Sequence, residues 1–140
     1  MNTLSWILLL LTVIAWGSTP ILEKTALSGV NPLDGLLIRN AVAFFVFMFF
    51  FLFTGRIKTL SDIPLKNVLL FSASGILAGF LGMYCYYHIL KINPSSKIVP
   101  LAATYPLLAV ILGMIFLREN VSISRIIGTI LIIAGVILVK

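Results

Sequence analysis

Carboxylates are scarce in this chain: Glu23, Asp34, Asp62 and Glu119 are the only four in 140 residues. A general acid/base pair needs two titratable groups at one site, and all four fall at or near the edges of apolar runs, where no such pair assembles. Histidine occurs once, at His88, and cysteine once, at Cys85. A single cysteine excludes a disulfide within the chain, and one histidine without another strong ligand is a poor metal site, so no metal or cofactor is expected. No H-E-x-x-H, G-x-S-x-G or glycine-rich phosphate loop occurs, and the chain reads as a non-enzyme. A Gly/Ser linker, a low-complexity tract and any repeated pair of segments are missing too.

What fills the chain is apolar: 61% of residues are hydrophobic and 10% are charged. A soluble domain of this size cannot hide so much apolar surface. The alternative solvent is a bilayer, whose core of roughly 30 Å demands about 20 apolar residues per helical span. Five such runs can be read, at 4–26, 33–53, 68–90, 96–117 and 122–139. The expected fold is therefore all-α, one integral membrane domain over residues 1–140 with five transmembrane helices. Barrel strands are short and alternate in polarity, whereas these runs are long and continuous. The first run has no Lys or Arg before it and no clear small-residue cleavage site, so it reads as a retained span. The ten Lys and Arg sit mostly at span ends, where they meet anionic headgroups; the bilayer, not nucleic acid, is the partner that their charge implies.

Charge bias barely decides orientation. The face that carries the N-terminus holds Arg56, Lys58, Lys66, Arg118 and Arg125; the other holds Lys24, Arg39, Lys91, Lys97 and Lys140. If Arg39 and Lys97 lie inside their helices, a slight preference for a cytoplasmic N-terminus remains. So flat a balance permits both insertions, and two oppositely inserted copies would form an inverted repeat by dimerisation. The alternative is one orientation with an unseen partner.

Polar residues recur in stripes. At 100° per residue Ser5, Thr12, Trp16, Thr19 and Glu23 share a band about 60° wide on the first span. Ser5 and Thr12 are expected to bond their own helix's carbonyls. Pro20 leaves the carbonyl of Trp16 without its usual donor, which predicts a kink or local unwinding beside a cavity. Glu23 lies about 28 Å along the helix from Leu4 and reads as a residue at the cavity mouth. On the third span Gly75, Gly79 and Gly82 form a strip for close helix approach, with Tyr84, His88 and Lys91 roughly opposite. Pro100 and Pro106, with Thr104 and Tyr105 between and beside them, predict a second broken helix in the fourth span. Gly128 and Gly135 mark a helix seam on the fifth, a candidate oligomer contact. Seven phenylalanines between Phe44 and Phe53 make the second span mostly a lipid-facing or packing surface.

The order and spacing of "AWGSTP", of "LLIRNAVAF" around Arg39, of "YCYYHILKINPSSKIVPLAATYPLLAVILGMIFLREN" and of "RIIGTILIIAGVILV" carry a resemblance. Over nearly its whole length the chain resembles a single EamA-type unit of the drug/metabolite transporter superfamily. The resemblance implies half of a ten-helix fold in which two inverted units surround a substrate cavity. It also implies that Trp16, Thr19, Tyr84, His88, Thr104 and Tyr105 lie on the cavity wall. His88 departs from the family pattern, which commonly has a small Ala there. Glu119 and Gly128 match family-typical positions suited to helix-end bonding and close packing.

The reading is a transporter of small organic solutes (an amino acid, amine or other metabolite) in the cell (inner/cytoplasmic) membrane. It would act by alternating access as an antiparallel homodimer or as a heterodimer with a related half-transporter. Trp16, Thr19, Tyr84, His88, Thr104 and Tyr105 would contact solute, and Glu23 and Arg39 would bias the entrance electrostatically. The rival is a noncatalytic membrane subunit that pairs with another protein through its Gly strips.

Overall fold

The computed structural model describes residues 2–120 and 122–138, and among them there are helices and turns but no strands. Helix α1 runs Thr3–Ala26 and α2 runs Pro32–Phe53. A short 3₁₀ segment, Arg56–Asp62, leads to α3, Leu65–Ile92. Then come α4, Ser95–Phe116, and α5, Ile123–Leu138. The first four are long and apolar enough to cross a membrane. At 1.5 Å per residue α5 spans about 24 Å in its described part, short of a roughly 30 Å core. Val139, the last residue expected in that span, lies outside the described residues, as does Lys140, counted above for orientation.

Local chemistry sets the boundaries. Asn2 caps α1 by accepting from the Ser5 amide at 2.9 Å and from its hydroxyl at 2.6 Å. Asn31 does the same for α2, accepting from the Leu33 amide, while Pro32 occupies a first-turn position where no amide is needed. Between α1 and α2 the chain reverses through Gly29 at φ +77°, a left-handed conformation that glycine adopts without a Cβ clash. At the end of α4 the carbonyl of Gly113 accepts from the amides of both Leu117 and Glu119, with Arg118 left-handed at φ 53°. Glu119 thereby folds back toward Gly113, which fits the helix-end bonding expected of it.

Two irregularities differ from expectation. The helix does not unwind at Pro20: α1 stays α-helical throughout, and the Thr19 hydroxyl donates to the Ala15 carbonyl at 2.8 Å instead of facing open backbone. Pro100 likewise sits inside a helical stretch, Ser95–Ala102. The fourth span does break, but at Ala103 and Thr104, directly before Pro106 in the first turn of Tyr105–Phe116. Pro106 has no amide to bond the Ala102 carbonyl, so the α ladder ends there. The unforeseen irregularity is in α3, where Gly75–Gly82 forms a π-helix between two α-helical stretches. A side chain at Gly82 would meet the Leu77 carbonyl, its Cβ only 3.1 Å away.

The chain divides into two compact units, Met1–Lys91 and Ile92–Lys140. In the first, the buried apolar residues Leu27, Leu36, Tyr87 and Leu90 gather where α1 ends, α2 begins and α3 ends. In the second, Ile98 and Val136 are buried. Elsewhere large apolar side chains point outward, including Phe44, Phe45, Phe47, Phe49, Phe50 and Phe53. That is the surface of a chain solvated by lipid. Lipid tails are as apolar as leucine, so burying leucine gives little drive for helices to associate there, and packing and hydrogen bonds must hold them. Lys24 supplies such bonds, its Nζ donating to the carbonyls of Leu90 at 2.7 Å and Lys91 at 2.9 Å. Lys91 Nζ donates to the Val30 carbonyl at 2.9 Å.

Candidate functional site

Glu23 is the buried charge of the first unit, 8% exposed in the last turn of α1. A buried carboxylate needs a donor and a counter-charge, and two other helices bring them. The Tyr87 hydroxyl, from α3, donates to Glu23 Oε1 at 2.8 Å. From α2, Arg39 Nε lies 3.6 Å from the same oxygen. Gly35 sits one turn before Arg39, and the position its Cβ would take is 3.7 Å from the Tyr87 ring, so α2 lies close against that aromatic face.

These residues line an open cleft of about 370 Å³, with Thr19 beside Glu23 and walls that include Leu22, Val30 and Ile38. Among the described residues no fully buried side-chain nitrogen or oxygen lacks a hydrogen bond. Glu23 itself is one of the residues that line the cleft. Arg39 meets Glu23 through Nε, and its side chain is 43% exposed. The arrangement can present an acceptor and a forked donor side by side.

Of the residues expected on a cavity wall, the structure brings Thr19, Glu23 and Arg39 together. Trp16 is 69% exposed and is not among the residues that line the cleft. Tyr84 and His88 pack on each other instead, with ring centroids 4.6 Å apart and perpendicular, and Tyr84 also stacks on Phe80. Thr104 and Tyr105 belong to the second unit, where the Thr104 hydroxyl donates to the Leu101 carbonyl at 2.9 Å and Tyr105 is exposed. Among the described residues, a Cβ added at Gly75, Gly79, Gly128 or Gly135 would have nothing within 4 Å. No group of three metal-ligating side chains occurs among the described residues.

Tyr87 is the residue that sequence reasoning missed. A helical wheel drawn from Gly75 puts Tyr84 and His88 on the polar face, but a π turn closes i→i+5 and holds more residues than the α turn. Every residue past Gly82 is thereby rotated away from its place on such a wheel. Lys91, one α turn beyond Tyr87, was the available signal: it belongs to the end of the helix where α1 and α2 also place charges.

A model of the EamA-like transporter family matches residues 3–140. The chain belongs to that family. It is 27% identical over 120 residues to an uncharacterized transporter in the cobO 3′ region of Sinorhizobium sp., covering 86% of this chain and 84% of that one. An uncharacterized transporter of Archaeoglobus fulgidus is 29% identical over 135 residues, 96% of this chain and 47% of the relative. An uncharacterized protein of Methanocaldococcus jannaschii is 29% identical over 110 residues, 79% and 77% of the two chains. No solved structure matches. An EamA-like chain with four long apolar helices is a multi-pass membrane protein. Its cleft places a charge pair among three of its helices.

Proposed function

We propose that this chain is a half-transporter that carries small organic solutes across the cell membrane, without chemistry on the solute. The observation that carries the reading is the Glu23–Arg39 pair, open to a cleft among α1, α2 and α3 in a chain of the EamA-like family. Ionisable residues within membrane helices are costly, and they mark substrate or ion pathways. Amino acids, amines and other metabolites with complementary charge are the candidate solutes. The chain acts as one five-span domain, with α5 as the fifth span.

Two copies in opposite orientations would build a ten-helix assembly around a central route and expose it alternately. Two features support pairing. The near-even charge balance of the two faces permits dual insertion in the cytoplasmic membrane, and the Archaeoglobus relative is about twice as long as the matched segment. A related half-transporter in place of the second copy gives the same architecture. The open glycine strips also suit docking to an unrelated membrane protein, for which this chain would be a noncatalytic subunit.

Purified chain in liposomes tests the proposal with a panel of labelled amino acids, amines and organic acids. Saturable flux by the chain alone supports transport, and flux only after a second protein is added supports the subunit reading. C-terminal reporters active on both faces of the membrane support dual insertion. Activity on one face alone removes the antiparallel homodimer.

A further inference from the structure

We propose that the connection between α2 and α3 holds one anionic phospholipid, its phosphate among Arg56, Lys58 and Lys66 and an acyl chain in the groove lined by Leu60, Ile63, Val68 and Phe71. The proposal goes beyond transport and does not rest on it.

Depth is the first argument. The connection lies where two membrane helices end, since α2 stops at Phe53 and α3 starts at Leu65. It therefore sits at the level where headgroups meet water. Phe71 lies in the second turn of α3, about 9 Å along its axis from Leu65 at 1.5 Å per residue. A groove that reaches from Leu60 to Phe71 thus runs from headgroup depth into hydrocarbon. A phospholipid presents the same succession, polar and then apolar.

Charge is the second. Arg56, Lys58 and Lys66 are exposed, and Asp62 is the one carboxylate in the connection. Among the described residues the three cations form no ion pair. The hydroxyls of the 3₁₀ segment are spent on its own backbone: Thr59 donates to the Arg56 carbonyl at 2.7 Å and Ser61 to the Lys58 carbonyl at 2.8 Å. The cations are the polar groups left to meet a ligand, so that ligand is an anion. Each Lys or Arg near an anionic lipid surface adds about fivefold in affinity.

The groove is the third. It encloses about 490 Å³, lined by Leu60, Ile63, Val68, Phe71 and Ser72. The Ser72 hydroxyl donates to the Val68 carbonyl at 2.8 Å, which leaves an apolar lining. Ile57 and Leu60, three residues apart, share one edge of the 3₁₀ segment, and both are more than 40% exposed. A free phosphate or an acidic peptide would match the cations and leave these side chains bare. A neutral lipid would cover them and leave the cations unmatched. An anionic lipid does both.

Full chain in a nonionic detergent is titrated with dioleoyl phosphatidylglycerol, dioleoyl phosphatidylcholine and glycerol 1-phosphate, and adducts are followed by native mass spectrometry. We expect phosphatidylglycerol to bind at least tenfold more tightly than either of the others. Arg56→Gln, Lys58→Gln and Lys66→Gln combined should remove its advantage over phosphatidylcholine. Arg118→Gln with Arg125→Gln, at the connection between α4 and α5, should retain it. Ser72→Phe fills the groove and keeps every charge, and should weaken phosphatidylglycerol at least threefold. Should a variant fail to fold, phosphatidylglycerol with a diazirine on one acyl chain decides on the unaltered chain: the label should fall within residues 60–72. The proposal is overturned if phosphatidylcholine or glycerol 1-phosphate binds as tightly, if the triple variant keeps the preference, if the control pair abolishes it, or if the label falls on other helices. Oligoglutamate binding that only the triple variant removes, with no preference between the two lipids, assigns the face to an acidic protein segment and overturns the proposal. Loss of dimer in Ser72→Phe with lipid affinity intact puts a second copy in the groove and does the same.

Discussion

Lys24 and Lys91 finish one another's helices. The ammonium of Lys24, near the end of α1, takes the last carbonyls of α3, and the ammonium of Lys91, near the end of α3, takes the Val30 carbonyl in the turn that follows α1. Each cation thus sits at the negative end of the neighbouring segment, where helix carbonyls lack amide partners. Both ends must therefore lie at the same level, with α1 and α3 running in the same direction.

Lys24→Met removes two of these bonds and Lys91→Met one. Each change weakens a charge placed at a helix end, worth about 0.3–1 kcal/mol when exposed. Hydrogen exchange should quicken in the last turn of α3 in Lys24→Met and around Val30 in Lys91→Met, while amides in the middle of α2 keep their protection. Uniform exchange changes along all three helices would contradict the reciprocal arrangement.

Tyr87→Phe leaves the Glu23 carboxylate without its hydroxyl donor. A buried acceptor stripped of its partner costs about 1–3 kcal/mol, and thermal unfolding in detergent should show that loss. His88→Ala, at an exposed position, should change stability by less than about 0.5 kcal/mol. In a double-mutant cycle, Tyr87→Phe should cost clearly less once Glu23 is Gln. Additive effects would mean that the 2.8 Å bond contributes nothing to the fold.

Two glycines in the same unit should respond with opposite signs. Gly29→Ala forces an L residue to φ +77°, at a cost of about 1–2 kcal/mol. Gly17→Ala, in the interior of α1 with nothing within 4 Å of the new Cβ, should stabilise by up to about 1 kcal/mol. Midpoints of thermal unfolding in one detergent check both. A fall at Gly17 would reveal a close neighbour there in the assembled protein.

Gly128→Leu and Gly135→Leu place side chains where the isolated chain has open space. Helicity and thermal midpoint of the monomer should be unaltered, whereas the dimer fraction in mass photometry or cross-linking should fall if α5 is the seam between copies. An unchanged dimer fraction moves the seam elsewhere.

The helical class and four long membrane helices were legible because apolar length is written directly in the chain: α1, α2, α3 and α4 all fall within a few residues of the expected runs. Thr12 was legible for a similar reason, since its hydroxyl needs no partner beyond the Leu8 carbonyl one turn back. The unwinding expected at Pro20 does not occur, because a proline removes one hydrogen bond without forcing the helix to unwind, and α1 continues past it. Glu23 and Arg39 drew notice as charges out of place, but their pairing joins two helices and has no local signature. Tyr87 was hidden by a change of helical pitch whose only trace is a run of glycines, and that run reads equally as a packing strip.

Among the described residues, the polar ties that join α1, α2 and α3 lie at one rim of the first unit, from Glu23 and Lys24 to Tyr87 and Lys91. The opposite stretches of those helices carry aliphatic and aromatic side chains turned outward. A bundle pinned in this way has its fulcrum at the pinned rim. Small rotations about that rim would grow along the helices toward their far ends, around the 3₁₀ segment.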